Sequence, residues 1–112
     1  MKVVITGGTG FLGLRLARVI LERGEICGAS GAPEPIDKMI LFDAVTPPER
    51  PAGLDERVEI VSGDIADRDL VMRLISGDSL SVFHFASVVS AGAEQDFDLA
   101  MKVNLDGGIN VL

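Results

Sequence analysis

Four glycines follow a short apolar run near the start of the chain, in the stretch VVITGGTGFLG at residues 3–13. They lie at positions 7, 8, 10 and 13, where the lack of a side chain lets another group come close to the backbone. A strand that ends in glycines and opens a helix gathers free backbone N–H groups and the positive end of a helix dipole at one place. This junction is suited to binding a pyrophosphate. The structural alternative is a tight turn that binds no ligand.

The spacing of these glycines fits two patterns. Gly8, Gly10 and Gly13 match G-x-G-x-x-G, whereas Gly7, Gly10 and Gly13 match the wider G-x-x-G-x-x-G. Both are compatible with a dinucleotide-binding turn. A phosphate loop of a nucleoside triphosphatase would end in Gly-Lys-Ser/Thr, and Gly13 is followed by leucine instead. Nucleoside triphosphate hydrolysis is therefore disfavoured.

A dinucleotide site also needs an acidic residue at the end of the second strand, about 20 residues beyond the glycines, to bind the adenosine ribose. Asp43 ends the apolar run MILF, although it lies 30 positions after Gly13. A rival alignment makes EICGAS the second strand and puts Ser30 at the acidic position. We favour Asp43, because the run before it is more apolar and Gly28 and Gly31 weaken the rival strand.

These groups require alternating strands and helices to position them. Helical periodicity runs from Phe11 to a stop at Gly24, and a second helix begins at Asp67 and ends before Gly77. Pro- and Gly-rich loops are expected at 31–35 and 46–53. Strands are expected at 3–5, 39–42, 58–61 and 80–86, and a third helix at 96–112. The alternation predicts an α/β fold with a parallel sheet.

Composition limits the possible partners and the cellular compartment. The 112 residues, 47% of them hydrophobic, suffice for one domain with a modest core. A net charge of −7 disfavours nucleic acid and anionic membranes as partners. Cys27 is the only cysteine, which excludes an internal disulfide and a multi-cysteine metal site, and we expect a half-buried thiol. With neither a signal peptide nor a membrane-length apolar stretch, we expect a cytoplasmic protein.

Four stretches of the sequence, in order, resemble motifs of one enzyme family. They are TGGTGFLG at 6–13, SGDI at 62–65, HFAS at 84–87 and VNLDGGINVL at 103–112. Together they resemble the extended short-chain dehydrogenase/reductase family, the NAD-dependent epimerases and dehydratases. The resemblance implies a Rossmann-type, doubly wound parallel sheet with NAD as cofactor, of which residues 1–112 would form the N-terminal half of the dinucleotide-binding domain.

The resemblance also implies a set of cofactor contacts. They are Gly7, Gly10, Phe11, Leu12, Gly13, Asp43, Asp64, Ile65, Ala86, Ser87, Val88 and Asn104. In this set the backbone amides of Phe11 and Leu12 would meet the pyrophosphate, and Asp43 would bind the adenosine ribose. Residues 64 and 65 would flank adenine, residues 86–88 would line the path to the nicotinamide ribose, and Asn104 would support the catalytic strand.

Three of the polar residues have structural alternatives. Asp64 could cap a turn, and Ser87 could be a strand-end hydroxyl bonded to backbone. We interpret His84, between two phenylalanines on a strand, as a core histidine with its hydrogen bonds satisfied rather than as a catalytic group.

One departure from the family concerns catalysis. The family's catalytic Tyr-x-x-x-Lys needs a tyrosine that exchanges a proton with the substrate, and this chain contains no tyrosine. The chain also ends inside a predicted helix. We therefore expect an N-terminal fragment that holds no catalytic residue, is inactive alone and belongs to a larger, homodimeric enzyme whose remaining strands and substrate domain lie elsewhere.

The connections around Asp43 indicate a substrate class. The stretches PEPIDKMILFD and FDAVTPPERP are similar to an erythronate dehydrogenase-like branch of the family, which oxidises four-carbon sugar acids. The expected activity is oxidation of a hydroxyl of a sugar or sugar acid, in which the carbon that bears the hydroxyl transfers a hydride to NAD. The alternatives are a nucleotide-sugar epimerase or dehydratase and a non-catalytic dinucleotide sensor.

Overall fold

A four-stranded parallel sheet forms the centre of the computed structural model, which describes residues 1–28, 31–77 and 79–85. The elements in chain order are β1 (Lys2–Thr6), α1 (Phe11–Arg23), β2 (Glu25–Cys27), β3 (Pro33–Pro35), β4 (Lys38–Asp43), β5 (Val58–Ser62), α2 (Arg68–Leu74) and β6 (Leu80–His84). The sheet order is β5-β4-β1-β6, and every neighbouring pair is parallel.

This order reveals the fold class. If the four strands of this sheet are numbered along the chain, their order across the sheet is 3-2-1-4. This is the first part of the Rossmann order 3-2-1-4-5-6. The chain leaves β1 toward one side of the sheet and later returns to its other side with β6. The expected α/β, doubly wound parallel sheet is thereby confirmed, and a switch point lies between the carboxyl ends of β1 and β6.

Helix α1 forms where its periodicity predicts it. Its buried residues recur at helical spacing and face the sheet; they are Gly13, Ala17, Ile20 and Leu21. The helix ends at Gly24, which adopts a left-handed conformation with φ 76° and donates its N–H to the Ile20 carbonyl at 2.9 Å. A residue with a Cβ would be strained there, so the expected glycine stop is confirmed.

The core lies around the two middle strands. In β1 and β4 the apolar residues are buried on both faces, as in parallel strands covered on two sides. Val3, Ile5, Met39 and Leu41 pack with α1 in one cluster, while Phe42 packs with Ile65 and Val71 in a second. These side chains fix β1 and β4 side by side, in the register Lys2 to Lys38 through Thr6 to Phe42.

The segment between α1 and β4 departs from expectation. Residues 25–27 and 33–35 pair as a separate antiparallel ribbon, so the loop expected at 31–35 contains a short strand. Its two prolines lack an N–H, which such a strand tolerates outside the main sheet. Cys27 lies in this ribbon and is exposed, so the prediction of a half-buried thiol was wrong.

The connection between β4 and β5 contains no helix and is tied to α1. Residues 46–53 form the expected loop. Arg18 Nε donates to the Ala52 carbonyl at 2.9 Å, and Arg57 Nη2 donates to the Leu21 carbonyl near the end of α1 at 3.3 Å. Arg57 also forms an ion pair with Asp55 at 2.6 Å. The arginines thus hold this long connection against the helix.

The Asp55–Arg57 pair predicts a pH-dependent part of stability. Hydrogen bonds from the Arg57 side chain, then from its backbone, lower the pKa of Asp55 below its ordinary value of 3.8. A lowered folded-state pKa means that the contribution is complete above the unfolded pKa and is lost as the pH falls through the folded one.

We therefore expect the denaturation midpoint of the full-length protein to exceed that of Asp55→Asn by a small margin at pH 7. The margin should shrink below about pH 4, where the unfolded carboxyl becomes protonated. Thermal denaturation at several pH values measures this difference. A midpoint difference that stays constant down to pH 3 would contradict the assignment.

The second half of the described chain largely follows expectation. Asp67 caps α2, its carboxylate accepting the Leu70 N–H at 3.3 Å, and β5 ends at Ser62 as the start of the SGDI stretch. The strand expected at 80–86 is β6, which ends at His84. The helix expected at 96–112 lies outside the described residues.

Candidate functional site

The carboxyl ends of the parallel strands meet at one edge of the sheet. The glycine loop follows β1, Asp43 ends β4, the stretch SGDI follows β5 and His84 ends β6. In open α/β sheets, ligands bind in the crevice outside these ends. The topology therefore brings the glycine loop, the SGDI stretch and His84 of the HFAS stretch to one edge together with Asp43.

Three glycines of the loop are required by the fold, one by its backbone conformation and two by packing. Gly7 has φ 68°, a conformation that side-chain-bearing residues rarely adopt. A β-carbon on Gly8 would lie 2.8 Å from the Leu41 Cα, and one on Gly13 would overlap the Gly7 carbonyl oxygen. Because these obstacles are backbone atoms, they cannot move aside cheaply. Glycines of both spacing patterns thus serve the close contact of α1 with β1 and β4.

Gly10 differs from the other three. Its backbone is extended, with φ −78° and ψ 176°, which any residue adopts. A β-carbon there would meet the Gly7 carbonyl oxygen at 3.3 Å and no other described atom within 4 Å beyond its chain neighbours and its own helix backbone. Packing therefore constrains position 10 less than positions 8 and 13, since a shift of a few tenths of an ångström would relieve this one tight contact, and a ligand at the start of α1 gives a further reason for glycine there.

Helix α1 begins at this point with available N–H groups. The first helical hydrogen bond runs from the Leu14 N–H to the Gly10 carbonyl at 3.0 Å, and in the described chain no side chain caps the helix start. The amides of Phe11 and Leu12 precede that bond, and their side chains are 78% and 63% exposed. The arrangement suits an anion that accepts hydrogen bonds from the backbone.

Asp43 lies beside the glycine loop. Its Oδ2 accepts the Thr9 hydroxyl at 2.8 Å and the Thr9 N–H at 3.3 Å, and its Oδ1 accepts the Ala44 N–H at 2.8 Å. The rival stretch EICGAS contributes β2 to the separate ribbon, and its Ser30 lies outside the described residues. The structure thus puts a carboxylate at the end of the strand next to β1, as the preferred alignment predicts.

The SGDI stretch forms a turn between β5 and α2. The Gly63 N–H donates to the Asp43 carbonyl at 3.0 Å, which ties this turn to the end of β4. Asp64 is exposed, and its Oδ1 accepts the Ala66 N–H at 2.9 Å, so it has the turn-forming role that was its structural alternative. Ile65 is buried against Phe42 and Val71, so little of its side chain is open to a ligand.

A buried hydroxyl joins β1 to β6 at the switch point. Thr6 Oγ1 accepts the Phe85 N–H at 3.1 Å and lies 2.6 Å from His84 Nδ1, to which it can donate its proton. Partial burial of the ring lowers the pKa of His84, which favours the neutral imidazole at pH 7. His84 is hydrogen-bonded as expected, but it is exposed at the strand end rather than part of the core.

Sequence reasoning missed Thr6 and Thr9. Both have their partners far along the chain, 78 residues away for Thr6 with His84 and 34 for Thr9 with Asp43. A signal was present in the strand order, because residues that follow neighbouring parallel strands are brought together at the same edge. Their threonine side chains carry no signal of their own.

Four of the expected contact residues lie outside the described chain: Ala86, Ser87, Val88 and Asn104. Within residues 1–28, 31–77 and 79–85, no group of three or more His, Cys, Asp or Glu is placed to hold a metal ion. No helix in that part of the chain has the length and apolar character to cross a membrane. The N–H groups at the start of α1 suit an anion, and the Asp43 carboxylate suits a hydroxyl-bearing group.

Proteins of known identity are similar to this chain in sequence and in fold. The chain is 50% identical over 107 residues to a D-erythronate dehydrogenase of Cupriavidus necator, covering 95% of the chain and 32% of that protein. A nucleoside-diphosphate-sugar epimerase structure from Agrobacterium tumefaciens is 31% identical with a TM-score of 0.81, covering 99% of this chain and 31% of that one. The Bordetella bronchiseptica enzyme WbmH, solved with NAD+, is 30% identical with a TM-score of 0.71, covering 98% and 33%.

The chain spans about a third of the length of each of these proteins. The model of the 3-beta hydroxysteroid dehydrogenase/isomerase family matches residues 4–112. That match includes the glycine loop, Asp43 and the three later motifs, in the order found in the extended short-chain dehydrogenases/reductases. The chain therefore belongs to the 3-beta hydroxysteroid dehydrogenase/isomerase family, within the extended short-chain dehydrogenases/reductases.

Proposed function

We propose that residues 1–112 are the N-terminal, NAD-binding part of an NAD-dependent oxidoreductase that oxidises a hydroxyl of a sugar acid such as D-erythronate. The observation that carries the cofactor site is Gly10, which packing constrains less than Gly8 and Gly13 and which leaves the start of α1 open. The support for the substrate class is the 50% identity to a D-erythronate dehydrogenase over 107 residues.

In this proposal different residues at the sheet edge bind different parts of NAD. The amides of Phe11 and Leu12 beside Gly10 would donate hydrogen bonds to the pyrophosphate, as in other Rossmann folds. The lack of side chains at Gly7 and Gly13 would let it come close, and Asp43 would accept from the adenosine ribose. Asp64 and Ile65 would flank adenine. The contacts of residues 86–88 and Asn104 with the nicotinamide half stay predictions, since these residues lie outside the described chain.

The charges around Asp43 favour NAD over NADP. A carboxylate attracts the ribose hydroxyls and repels a 2′-phosphate. Arg50, the nearest downstream cation in the sequence, donates to the Asp55 and Val58 carbonyls at 2.7 and 2.9 Å, so its guanidinium is engaged in the β4–β5 connection. Lys38 lies at the opposite end of β4, where it pairs with Glu59 at 3.0 Å.

The residues of this chain contribute binding and orientation to the reaction. NAD supplies the hydride acceptor when it is bound. The substrate hydroxyl must also lose a proton to a base, and a tyrosine cannot perform that step here because the 112 residues contain none. We infer that the base belongs to a part of the full-length protein outside these residues, and that this chain alone does not turn over substrate.

The full-length protein acts, in this proposal, as a cytoplasmic homodimer on a small molecule, with no nucleic-acid or membrane partner. The net charge of −7 on these 112 residues supports the absence of a nucleic-acid or membrane partner for this part of the protein, because it repels nucleic acid and anionic lipid. The homodimer follows from the family resemblance.

The substrate proposal is tested by turnover of the full-length protein with NAD. We expect NADH to accumulate with D-erythronate and related four-carbon acids, because oxidation of the substrate leaves the hydride on the cofactor. Nucleoside-diphosphate sugars are the comparison substrates. Absorbance of NADH and chromatography of the sugars measure the two outcomes.

A second candidate function, a nucleoside-diphosphate-sugar epimerase or dehydratase, is supported by the structural likeness at a TM-score of 0.81. Such an enzyme returns the hydride to its substrate and leaves NAD unchanged overall. Conversion of a nucleotide sugar without accumulated NADH, together with inertness toward sugar acids, would therefore overturn the first candidate in favour of the second.

A further inference from the structure

The Asp43 carboxylate is held by the glycine loop through one residue, Thr9. Thr9 gives Oδ2 two hydrogen bonds, from its hydroxyl at 2.8 Å and from its N–H at 3.3 Å. The neighbouring Ala44 N–H binds Oδ1 at 2.8 Å. Thr9 is half-buried between Gly8 and Gly10, so it links the segment assigned to the pyrophosphate with the residue assigned to the ribose.

The hydrogen bonds determine which part of the carboxylate is available. Each carboxylate oxygen offers about two lone-pair directions. Oδ2 accepts two hydrogen bonds from Thr9, and Oδ1 accepts one from the Ala44 N–H. One lone-pair direction of Oδ1 is therefore left for a ligand hydroxyl within the described chain. Without the Thr9 hydroxyl, the shorter of the two bonds to Oδ2 is lost, and the two backbone N–H groups of Thr9 and Ala44 restrain the carboxylate less tightly.

We propose that the Thr9 hydroxyl is a positioning group for the Asp43 carboxylate and thereby helps the protein to prefer a dinucleotide with a free ribose 2′-hydroxyl over one with a 2′-phosphate. This inference rests on the proposed NAD site. A fixed carboxylate accepts from the ribose with little loss of rotational freedom, and it keeps its negative charge where a 2′-phosphate would lie. A less restrained carboxylate binds the ribose less tightly and repels the 2′-phosphate less.

Variants at position 9 separate the hydroxyl from the backbone contact. Every residue at position 9 except proline keeps the N–H that contacts Oδ2, so only the side-chain bond changes. Thr9→Val replaces the hydroxyl by a methyl group of similar size, and Thr9→Ser keeps the hydroxyl but removes the methyl group. The comparison of these two variants isolates the hydrogen bond from packing.

The experiment is calorimetric titration of the full-length protein with NAD and with NADP, in wild type and in both variants. For Thr9→Val we expect the Kd for NAD to rise about 3- to 10-fold and the Kd for NADP to change less, which is the size of one ordinary hydrogen bond, because the carboxylate keeps its charge and its two backbone partners. Thr9→Ser should stay within about twofold of wild type. Should Thr9→Val not fold, Thr9→Ala carries the same expectation.

A double-mutant cycle tests whether Thr9 acts through Asp43. In an Asp43→Ser background, Thr9→Val should no longer change the ratio of the two Kd values, because the carboxylate that it positions is gone. An unchanged ratio in Thr9→Val alone, or the same change in both backgrounds, would overturn the positioning role and leave the NAD site standing. A wild type that binds neither dinucleotide would overturn the proposed function and this inference with it.

Discussion

Gly10→Val should reduce the affinity of the full-length protein for NAD by at least about 100-fold, equivalent to about 2.7 kcal/mol. The valine side chain would occupy the space at the start of α1 where the pyrophosphate approaches the Phe11 and Leu12 amides. The fold should persist, because the backbone at position 10 is extended and valine is only a poorer helix cap than glycine, at a cost of about 1 kcal/mol. Calorimetry and thermal denaturation measure the two effects separately.

Two matched variants make this result interpretable. Gly13→Ala, on the same helix, should chiefly reduce stability, by about 1–3 kcal/mol or more, because its β-carbon overlaps the Gly7 carbonyl oxygen. Arg15→Ala changes an exposed residue one turn beyond Gly10 and should alter neither quantity. Arg18 is a less suitable control, since its Nε holds the Ala52 carbonyl. Wild-type affinity in Gly10→Val would remove the glycine loop from the site.

The long elements of the fold could be predicted because each carries its own signal. Helix α1 has an apolar face at helical spacing and a glycine stop, and β4 is a continuous apolar run that is buried on both faces. In β4 the whole apolar run is buried, and in α1 Ala17, Ile20 and Leu21 are buried although Leu12 and Val19 of the same helix are exposed. Local pattern and tertiary burial agree there, so the sequence suffices.

The ribbon formed by β2 and β3 could not be predicted in the same way. Each strand has only three residues, too few for an alternating pattern, and Pro33 and Pro35 are typical of loops. The pairing is decided by the return of the chain from α1 to β4, with Ile36 donating its N–H to the Gly24 carbonyl at 3.0 Å. Such a contact depends on the whole connection rather than on any one segment.

The candidate site likewise contains one residue that a local pattern predicts and one that only the tertiary structure places. Asp43 was predictable from the apolar run before it, because a buried parallel strand ends where its hydrophobic residues end. Its partner Thr9 was not, because their contact requires β4 to lie next to β1, which only the sheet order establishes. For positions that would bind through a backbone N–H, such as Phe11, the glycine pattern predicts where the contact lies, but the residue type carries no information because almost every residue has an N–H.

Asp43→Ser in the full-length protein should weaken NAD binding by about 1.5–3 kcal/mol, or roughly 10- to 150-fold, because it removes a charged acceptor for the ribose hydroxyls. NADP binding should change less or improve, since the repulsion of its 2′-phosphate disappears, so the preference for NAD narrows mainly through NAD. Titration with both dinucleotides at pH 7 and fixed ionic strength measures the ratio.

Asp37→Ser is the matched control for this ratio, because Asp37 precedes β4 at its opposite end and its carboxylate accepts from the Met1 amino group at 2.7 Å. Its loss removes the same formal charge from the chain but leaves the end of β4 intact. The ratio should therefore stay at the wild-type value in Asp37→Ser. If Asp37→Ser shifts the NAD/NADP ratio and Asp43→Ser does not, then the ribose does not lie at the end of β4, and the stretch EICGAS becomes the next place to look for it.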